Sequence, residues 1–242
     1  MENVGTVEKK RKTKGISKPI IVFGDVHGLT YWKTIVDKNP DCRYIFLGDY
    51  LDPYEDIAPK QLIDNLKEII KLKKERGDDV VLLLGNHDLH YLHLHIEPCW
   101  RFDSTIMKRA HELFLANAHL FTNAFQESKR IFTHAGISHN WFINDFGGNL
   151  KKNIAKQLNN PKRDQLLALY RIGFYRGGRG IGGIFWADIK ELTDPLAGYY
   201  QYAGHNRVDT IRKRISNSGE ITFCDSLCNG NYLKLDFKKQ KK

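Results

Sequence analysis

The sequence has few cysteines and no long apolar run, and both absences limit what the protein can be. Its cysteines (Cys42, Cys99, Cys224 and Cys228) form no Cys-x-x-Cys pair, so their spacing fits neither a zinc site nor a disulfide framework. No apolar run approaches the roughly 18 residues of a membrane span, and the N-terminus lacks the apolar stretch of a signal peptide. We therefore expect a cytoplasmic protein in a reducing compartment, with no membrane partner.

Acidic residues are outnumbered by basic ones, 28 against 38, which gives a formal net charge of +10. Residues 1–18 and residues 238–242 each carry a net charge of +4, so the rest of the chain carries only +2. Short basic tails are typically loose and solubilising, although the run KKRK at 9–12 leaves a nuclear address open. We expect flexible basic tails at 1–18 and 238–242, one domain at 19–237, and no nucleic-acid partner.

Short apolar runs alternate with helical patterns between the tails, which predicts an α/β layered fold. Predicted strands lie at 20–23, 44–47, 80–84, 119–125 and 130–134, and predicted helices lie at 29–38, 59–76 and 103–117. Residues 138–172 are mostly helical and polar, which indicates a cap or insertion. The last third predicts antiparallel strands near 199–203, 208–214, 220–224 and 231–237.

Residues of the kinds that bind metals follow several of the apolar runs. Because the active site of an open α/β sheet lies at the carboxyl ends of its strands, we expect these side chains to cluster. Carboxylates, imidazoles and amide carbonyls are hard-to-borderline ligands that suit Mn²⁺, Fe or Zn²⁺. The series therefore predicts a binuclear metal site doing phosphoester hydrolysis. Its members are Asp25, His27, Asp49, Asn86, His134 and His205.

The motifs GDVHG (24–28), GDYLD (48–52), GNHD (85–88), HAG (134–136) and GH (204–205) stand in one order along the chain. In these motifs the chain resembles the calcineurin-like metallophosphoesterases over residues 19–237. The resemblance implies a four-layer αββα sandwich with a small helical insertion. It also implies two divalent transition metals, with Mn²⁺ favoured over Fe or Zn²⁺, and a metal-bridging hydroxide that attacks phosphorus. By the same resemblance, Asp25, His27 and Asp49 would hold one metal, and Asp49, Asn86, His134 and His205 the other.

Further site residues follow from the same resemblance. His87 would donate a proton to the leaving oxygen or stabilise charge on the phosphoryl group, and Asp52 would orient its ring. In the serine/threonine phosphatases of the family an arginine that clamps phosphate normally follows this aspartate, and here Pro53 stands in its place. Candidates to replace it, each also compatible with an ordinary surface position, are Arg101, Arg176, Arg179 and Arg207.

The GDYLD motif resembles the serine/threonine phosphatase branch, which favours a phosphomonoesterase acting on a phosphoprotein or on a small phosphoester or nucleotide. The segments beginning at Leu84 and His134 are more similar to bacterial diadenosine tetraphosphatases, so a dinucleoside-polyphosphate hydrolase is the alternative. Many diesterase relatives carry a second histidine where this chain has Arg207, which argues against a phosphodiesterase. A catalytically silent binding scaffold is a third hypothesis, and the complete ligand series counts against it.

Overall fold

A computed structural model describes residues 18–216 and 219–237 of the chain, and these residues form two five-stranded sheets. The predicted basic tails lie outside the described residues, apart from Lys18. The predicted domain limits of 19–237 stay a prediction. No helix among the described residues has the length and apolar character needed to cross a membrane.

The first sheet is mostly parallel and has the strand order β10-β1-β2-β3-β4. The second sheet has the order β5-β6-β7-β9-β8, with parallel pairs at its centre. The strands are β1 (Ile20–Phe23), β2 (Arg43–Phe46), β3 (Val80–Leu83), β4 (Phe121–Thr122), β5 (Ala124–Glu127), β6 (Arg130–Thr133), β7 (Tyr200–Ala203), β8 (Arg212–Ile215), β9 (Glu220–Phe223) and β10 (Leu233–Leu235).

The two sheets pack face to face, and the alternation of side chains along the central strands shows how. In β1, Ile20 and Val22 point between the sheets, whereas Ile21 and Phe23 pack under the helices. In the second sheet, Phe132 and Tyr202 enter the layer between the sheets and stack with ring centroids 4.7 Å apart. Because both faces of β1 are buried, this strand is a continuous apolar run rather than an alternating one.

Helices cover the outer face of the first sheet and, together with the irregular segment 187–192, that of the second, and the predicted αββα sandwich is confirmed. The longest helix has the predicted limits of 59 and 76; it begins at a proline, which is favoured at the first helical position, and Gly77 follows it as the C-cap residue. The predicted insertion contains a π-helical turn at Trp141–Asp145 and two short helices. The helices are α1 (Tyr31–Lys38), α2 (Pro59–Arg76), α3 (Asn86–Leu92), α4 (Met107–Ala116), α5 (Ile154–Asn159) and α6 (Leu166–Leu169).

The prediction of one strand at 119–125 was wrong, because the chain changes sheets within it. β4 pairs with β3 in the first sheet, and β5 pairs with β6 in the second. Asn123 stands at the crossing, where the Asn159 side-chain oxygen accepts the backbone N–H groups of Asn123 and Ala124 at 3.0 and 2.9 Å. These side-chain hydrogen bonds replace the strand ladder at that point.

Two other expectations also need correction. The last third is not wholly antiparallel, because β7 runs parallel to both β6 and β9. The long insertion between β6 and β7 provides the crossover that a parallel pair requires. The helix predicted at 103–117 begins only at Met107, because the Asp103 side chain accepts the backbone N–H of Thr105 and forms a turn.

Replacing Phe132 by alanine tests the packing between the sheets. Phe132→Ala should lower the free energy of unfolding by about 3–5 kcal/mol, because a fully buried aromatic ring leaves a cavity. Leu167→Ala is the matched control, since that side chain is 84% exposed and should change stability by no more than about 0.5 kcal/mol. Urea unfolding measures both values, and equal stability of the two variants would contradict the proposed packing.

Candidate metal centre

The predicted metal ligands all lie just after parallel strands, at the edge where the two sheets meet; Asn86 is the first residue of α3, and the others lie on loops. The loops after β1 and β2 are tied together, because the backbone N–H groups of Val26 and His27 donate to the carbonyl of Asp49 at 3.1 and 2.7 Å. The ligands from the first sheet are Asp25 and His27 after β1, Asp49 after β2 and Asn86 after β3; those from the second are His134 after β6 and His205 after β7.

Non-glycine residues with left-handed backbone are concentrated at this edge. Of six such residues in the described part of the chain, only Ser128 lies elsewhere, in the turn between β5 and β6. Each of these conformations costs roughly 1–3 kcal/mol, so the surrounding contacts must enforce it. The five at the site are His27 (φ 41°), Asp49 (φ 52°), Asp52 (φ 57°), Arg101 (φ 69°) and His205 (φ 61°).

One group of ligand atoms converges tightly. The side-chain oxygen of Asn86 lies 2.9 Å from His134 Nε2 and 2.9 Å from His205 Nδ1, and these two nitrogens are 3.2 Å apart. Asp49 Oδ2 lies 3.5 Å from His134 Nε2. Metal–ligand bonds of about 2.1 Å place neighbouring ligand atoms roughly 3.0–3.4 Å apart. The donor set and its spacing therefore fit one divalent ion.

A second group shares Asp49. His27 Nε2 lies 3.7 Å from Asp49 Oδ2 and 3.9 Å from Asp25 Oδ2. The ligand atoms of these three buried side chains lie within 4.8 Å of one another. The carboxylate of Asp49 thus stands between the two groups, which is the position of a ligand that bridges two ions.

Hydrogen bonds turn the ligand atoms towards the centre. His27 Nδ1 donates to the Leu51 carbonyl at 2.8 Å and His134 Nδ1 to the Leu47 carbonyl at 2.9 Å, assigned because a carbonyl can only accept. Each Nε2 therefore keeps its lone pair for a metal, the arrangement usual for metal-binding histidines. The amide nitrogen of Asn86 donates to Cys99 Sγ at 3.6 Å, so its oxygen faces the centre.

Burial makes the centre electrostatically suited to cations. It raises the pKa of Asp25 and of Asp49 well above the usual range, and nearby carboxylates, Asp225 beside Asp25 among them, raise them further. Burial lowers the pKa values of His27 and His134 to about 3, so both rings are neutral at pH 7. Buried carboxylates among neutral imidazoles are stabilised by divalent cations, which explains why these residue types fit a metal.

Beside the metal-ligand groups, His87 and Asp52 form a hydrogen-bonded pair. His87 Nδ1 lies 2.7 Å from Asp52 Oδ2, the Tyr91 hydroxyl donates to Asp52 Oδ1 at 2.6 Å, and His90 Nε2 lies 3.0 Å from Oδ2. Burial alone would raise the pKa of Asp52, but the hydrogen bonds from His87 and Tyr91, together with the close His90 ring, outweigh it and lower the pKa. Asp52 is therefore held as a carboxylate by two hydrogen bonds and one further close contact.

The family of the chain follows from comparison with known proteins. A family model described as calcineurin-like phosphoesterase matches residues 18–209 of the 242. The chain belongs to this family. Calcineurin-like phosphoesterases are hydrolases that use divalent metals, and the two ligand groups described above are where this chain would hold them.

Several proteins named as phosphatases are similar to this chain. A Caenorhabditis elegans protein named "Putative serine/threonine-protein phosphatase" is 30% identical over 138 residues, which are 51% of this chain and 27% of the relative. The chain therefore spans about a quarter of the length of that relative. A protein serine/threonine phosphatase from Saccharomyces cerevisiae superposes with a TM-score of 0.54 at 15% identity, over 94% of this chain and 82% of the other.

A cold-active protein tyrosine phosphatase superposes with a TM-score of 0.58 at 14% identity, over 90% of this chain and 80% of the other. At these identities, both structural likenesses show the calcineurin-like fold alone.

The candidate arginines of this calcineurin-like phosphoesterase differ in their placement. Arg101 and Arg176 line a pocket of about 190 Å³ together with the metal-ligand groups. Arg176 Nε pairs with Asp188 at 2.9 Å. Arg207 packs its guanidinium 4.7 Å from the centre of the Tyr54 ring and is not among the residues that line the pocket. Arg179 is exposed and does not line it either.

Sequence reasoning missed the role of Asp88, the last residue of the GNHD motif. Its buried carboxylate accepts the backbone N–H groups of Asp49, Tyr50 and Gly85 at 2.8, 3.0 and 2.7 Å. The carboxylate thus joins the loop after β2 to the turn after β3, and burial raises its pKa to about 7. The only sequence signal was an acidic residue inside a motif of metal ligands.

Replacing Asp88 by asparagine tests whether these hydrogen bonds stabilise the protein. Asp88→Asn should lower the free energy of unfolding of the metal-free protein by about 2–3 kcal/mol, because an amide NH₂ would face backbone N–H donors in place of an acceptor oxygen. Asp78→Asn, in the exposed turn after α2, is the matched control and should stay within about 0.5 kcal/mol of wild type. If urea unfolding gave Asp88→Asn the stability of the wild type, the stabilising role of the Asp88 hydrogen bonds would be refuted.

Proposed function

We propose that this calcineurin-like phosphoesterase hydrolyses phosphomonoesters with the help of two divalent metal ions, in the manner of the serine/threonine phosphatases. The observation that carries the proposal is the position of the Asp49 carboxylate, 3.7 Å from His27 Nε2 on one side and 3.5 Å from His134 Nε2 on the other. The substrate would be a phosphoprotein or a small phosphoester. Carboxylate, imidazole and amide ligands favour Mn²⁺, with Fe or Zn²⁺ as alternatives.

The proposed ligands divide into two sets that share Asp49. Asp25, His27 and Asp49 hold one ion, and Asn86, His134 and His205 join Asp49 around the other. When bound, such ions supply Lewis acidity to a phosphoryl group and make a water molecule nucleophilic at neutral pH. The protein holds the ligand side chains in fixed orientations: hydrogen bonds to the carbonyls of Leu51 and Leu47 orient the two histidine rings, and a hydrogen bond to Cys99 orients the Asn86 amide.

His87 and Asp52 are proposed to act on the leaving group. The His87 ring lines the pocket beside the metal-ligand groups, and its Nδ1 is engaged by Asp52 at 2.7 Å. With Nδ1–H donating to the Asp52 carboxylate, Nε2 has a proton to give to the leaving oxygen only when the ring is an imidazolium, the form that Asp52 favours against the burial that lowers the pKa of His87. Asp52 fixes the ring, and Tyr91 and His90 in turn fix Asp52.

Replacing the shared ligand tests the metal requirement. Purified wild-type protein loaded with Mn²⁺ should bind about two equivalents and hydrolyse p-nitrophenyl phosphate, and chelation should abolish turnover. Asp49→Asn should weaken metal binding by more than about 100-fold and remove activity, because it takes away a ligand of both ions. Asp37→Asn on the exposed face of α1 is the matched control. Substantial activity in Asp49→Asn would refute the assignment.

Replacing His87 separates chemistry from metal binding. His87→Asn should lower kcat by a factor on the order of 10²–10⁴ while metal content, measured by elemental analysis, stays at the wild-type value. His119→Asn, in an exposed turn before β4, serves as the control and should leave kcat unchanged. An unchanged kcat in His87→Asn would show that the residue is structural.

A dinucleoside-polyphosphate hydrolase is the second candidate, and one observation favours it. The Trp100 side chain lines the pocket and is 85% exposed, so a nucleobase attached to the phosphates could stack on it. A Mn²⁺-supplemented panel of phosphopeptides, nucleotides, diadenosine tetraphosphate and a phosphodiester separates the candidates. A kcat/KM highest for the diadenosine compound would replace the phosphomonoester proposal.

A further inference from the structure

Pro53 leaves the pocket without an arginine directly after Asp52, and the arginines that line the pocket instead are Arg101 and Arg176. We propose that Arg101 is the residue that binds the phosphoryl group, and that Tyr54 positions its guanidinium. The proposal rests on the phosphoesterase function proposed above. It assigns to one residue, from the segment between α3 and α4, a role that the sequence left open among four arginines.

Arg101 is fixed at three points. Its backbone is left-handed, with φ 69°, its Nε donates to the Asp52 carbonyl at 3.0 Å, and its guanidinium carbon lies 3.7 Å from the centre of the Tyr54 ring. Long side chains normally lose considerable conformational entropy when they bind a ligand. Because Arg101 is already restrained in the folded protein, it loses less conformational entropy when phosphate binds, and this favours binding.

The guanidinium still has a donor to offer. Arg101 Nη2 is buried and has no hydrogen-bond partner among residues 18–216 and 219–237. An unpaired buried N–H group is unfavourable, so it points to a ligand that accepts its hydrogen bond. Arg101 lines the same pocket as Asp25, Asn86 and His205, so a phosphoryl oxygen held at the metal centre would be that acceptor.

The other candidates are less suited to this role. Arg176 also lines the pocket, but its Nε pairs with Asp188 and its Nη2 donates to Asn206 Oδ1, both at 2.9 Å. Arg207 contacts the Tyr54 ring without lining the pocket. A guanidinium binds phosphate oxygens in a planar, charge-assisted fork. Of the two arginines that line the pocket, Arg101 is the one whose Nη2 is both buried and unpaired among the described residues, so it is the better placed.

Tyr54 connects this arginine to the metal centre. Its ring touches the guanidinium groups of Arg101 and Arg207 and meets the His27 ring edge-on, with centroids 5.0 Å apart. Cation–π contact with the ring holds the guanidinium plane in one orientation. Tyr54 is therefore a positioning residue, and its effect on phosphate binding should pass through Arg101.

Inorganic phosphate is the probe for the test, used with the Mn²⁺-loaded full-length protein. Arg101→Gln should raise the Kd for phosphate, measured by calorimetry, and the KM for p-nitrophenyl phosphate by about 10- to 100-fold, because a charge-assisted hydrogen bond is lost. Arg101→Lys keeps the charge without the planar fork and should fall between wild type and Arg101→Gln. Metal content should not change. Arg109→Gln, on the exposed side of α4, is the matched control.

Tyr54 is tested through its coupling to Arg101. Tyr54→Ala should raise the Kd severalfold, because the ring that holds the guanidinium is lost, and Tyr54→Phe, which keeps the ring, should bind phosphate more tightly than Tyr54→Ala. In the double variant Tyr54→Ala/Arg101→Gln, the Kd should equal that of Arg101→Gln alone, because a residue acting through Arg101 has nothing left to position. Independent, additive losses would overturn the positioning role.

Different results would contradict the role of Arg101 and the proposed phosphoesterase function. A wild-type Kd for phosphate in both Arg101→Gln and Arg101→Lys would overturn the inference, even if the wild-type protein hydrolyses phosphoesters. Absence of turnover on every phosphoester by the metal-loaded wild type would instead refute the proposed function. The calorimetric comparison of phosphate binding would still decide the role of Arg101, because it does not depend on turnover.

Discussion

The structure depends on one electrostatic constraint, the burial of several carboxylates and imidazoles where the two sheets meet. Asp25, Asp49 and Asp225 are all buried, and the pKa of each is raised by burial. Such groups are unfavourable in a low-dielectric interior unless cations or hydrogen bonds compensate them. The left-handed residues around the centre add a further cost, so the tightly packed strands must keep these side chains together.

The sandwich meets this constraint because each sheet supplies part of the centre. Asp25 and Asp49 follow strands of the first sheet, and His134 and His205 follow strands of the second, so the ligand groups assemble only when the sheets pack. Any ligand that binds the assembled centre therefore also stabilises the contact between the sheets. The layer between the sheets, with Phe132 and Tyr202 stacked in it, and the centre at its edge belong to one cooperative unit.

Much of this arrangement could be predicted from local patterns, because buried parallel strands are continuous apolar runs and their ends carry the ligands. The direction of strand β7 could not be predicted, since its four residues Tyr-Gln-Tyr-Ala carry no signal of which way the strand runs. Helix α3 was also missed, although His87, His90 and Tyr91 stand three and four residues apart, the spacing that puts them on one helix face beside Asp52. Asp88 could not be assigned because its carboxylate accepts hydrogen bonds from backbone groups distant in sequence. Arg101 could be named only as one of four candidates, because the hydrogen bond that sets it apart is to the distant Asp52 carbonyl.

Asp52 couples the two groups that are proposed to meet the substrate. Its carboxylate holds His87 at 2.7 Å, and its own backbone carbonyl accepts the hydrogen bond from Arg101 at 3.0 Å. A left-handed backbone at this residue, with φ 57°, turns the carboxylate and the carbonyl towards these two different partners. A shift of the loop after β2 would therefore move the proposed proton donor and the proposed phosphate-binding group together. Since the Asp88 carboxylate joins the start of that loop to the turn before α3 through backbone N–H groups, it restrains both groups without a hydrogen bond to either side chain.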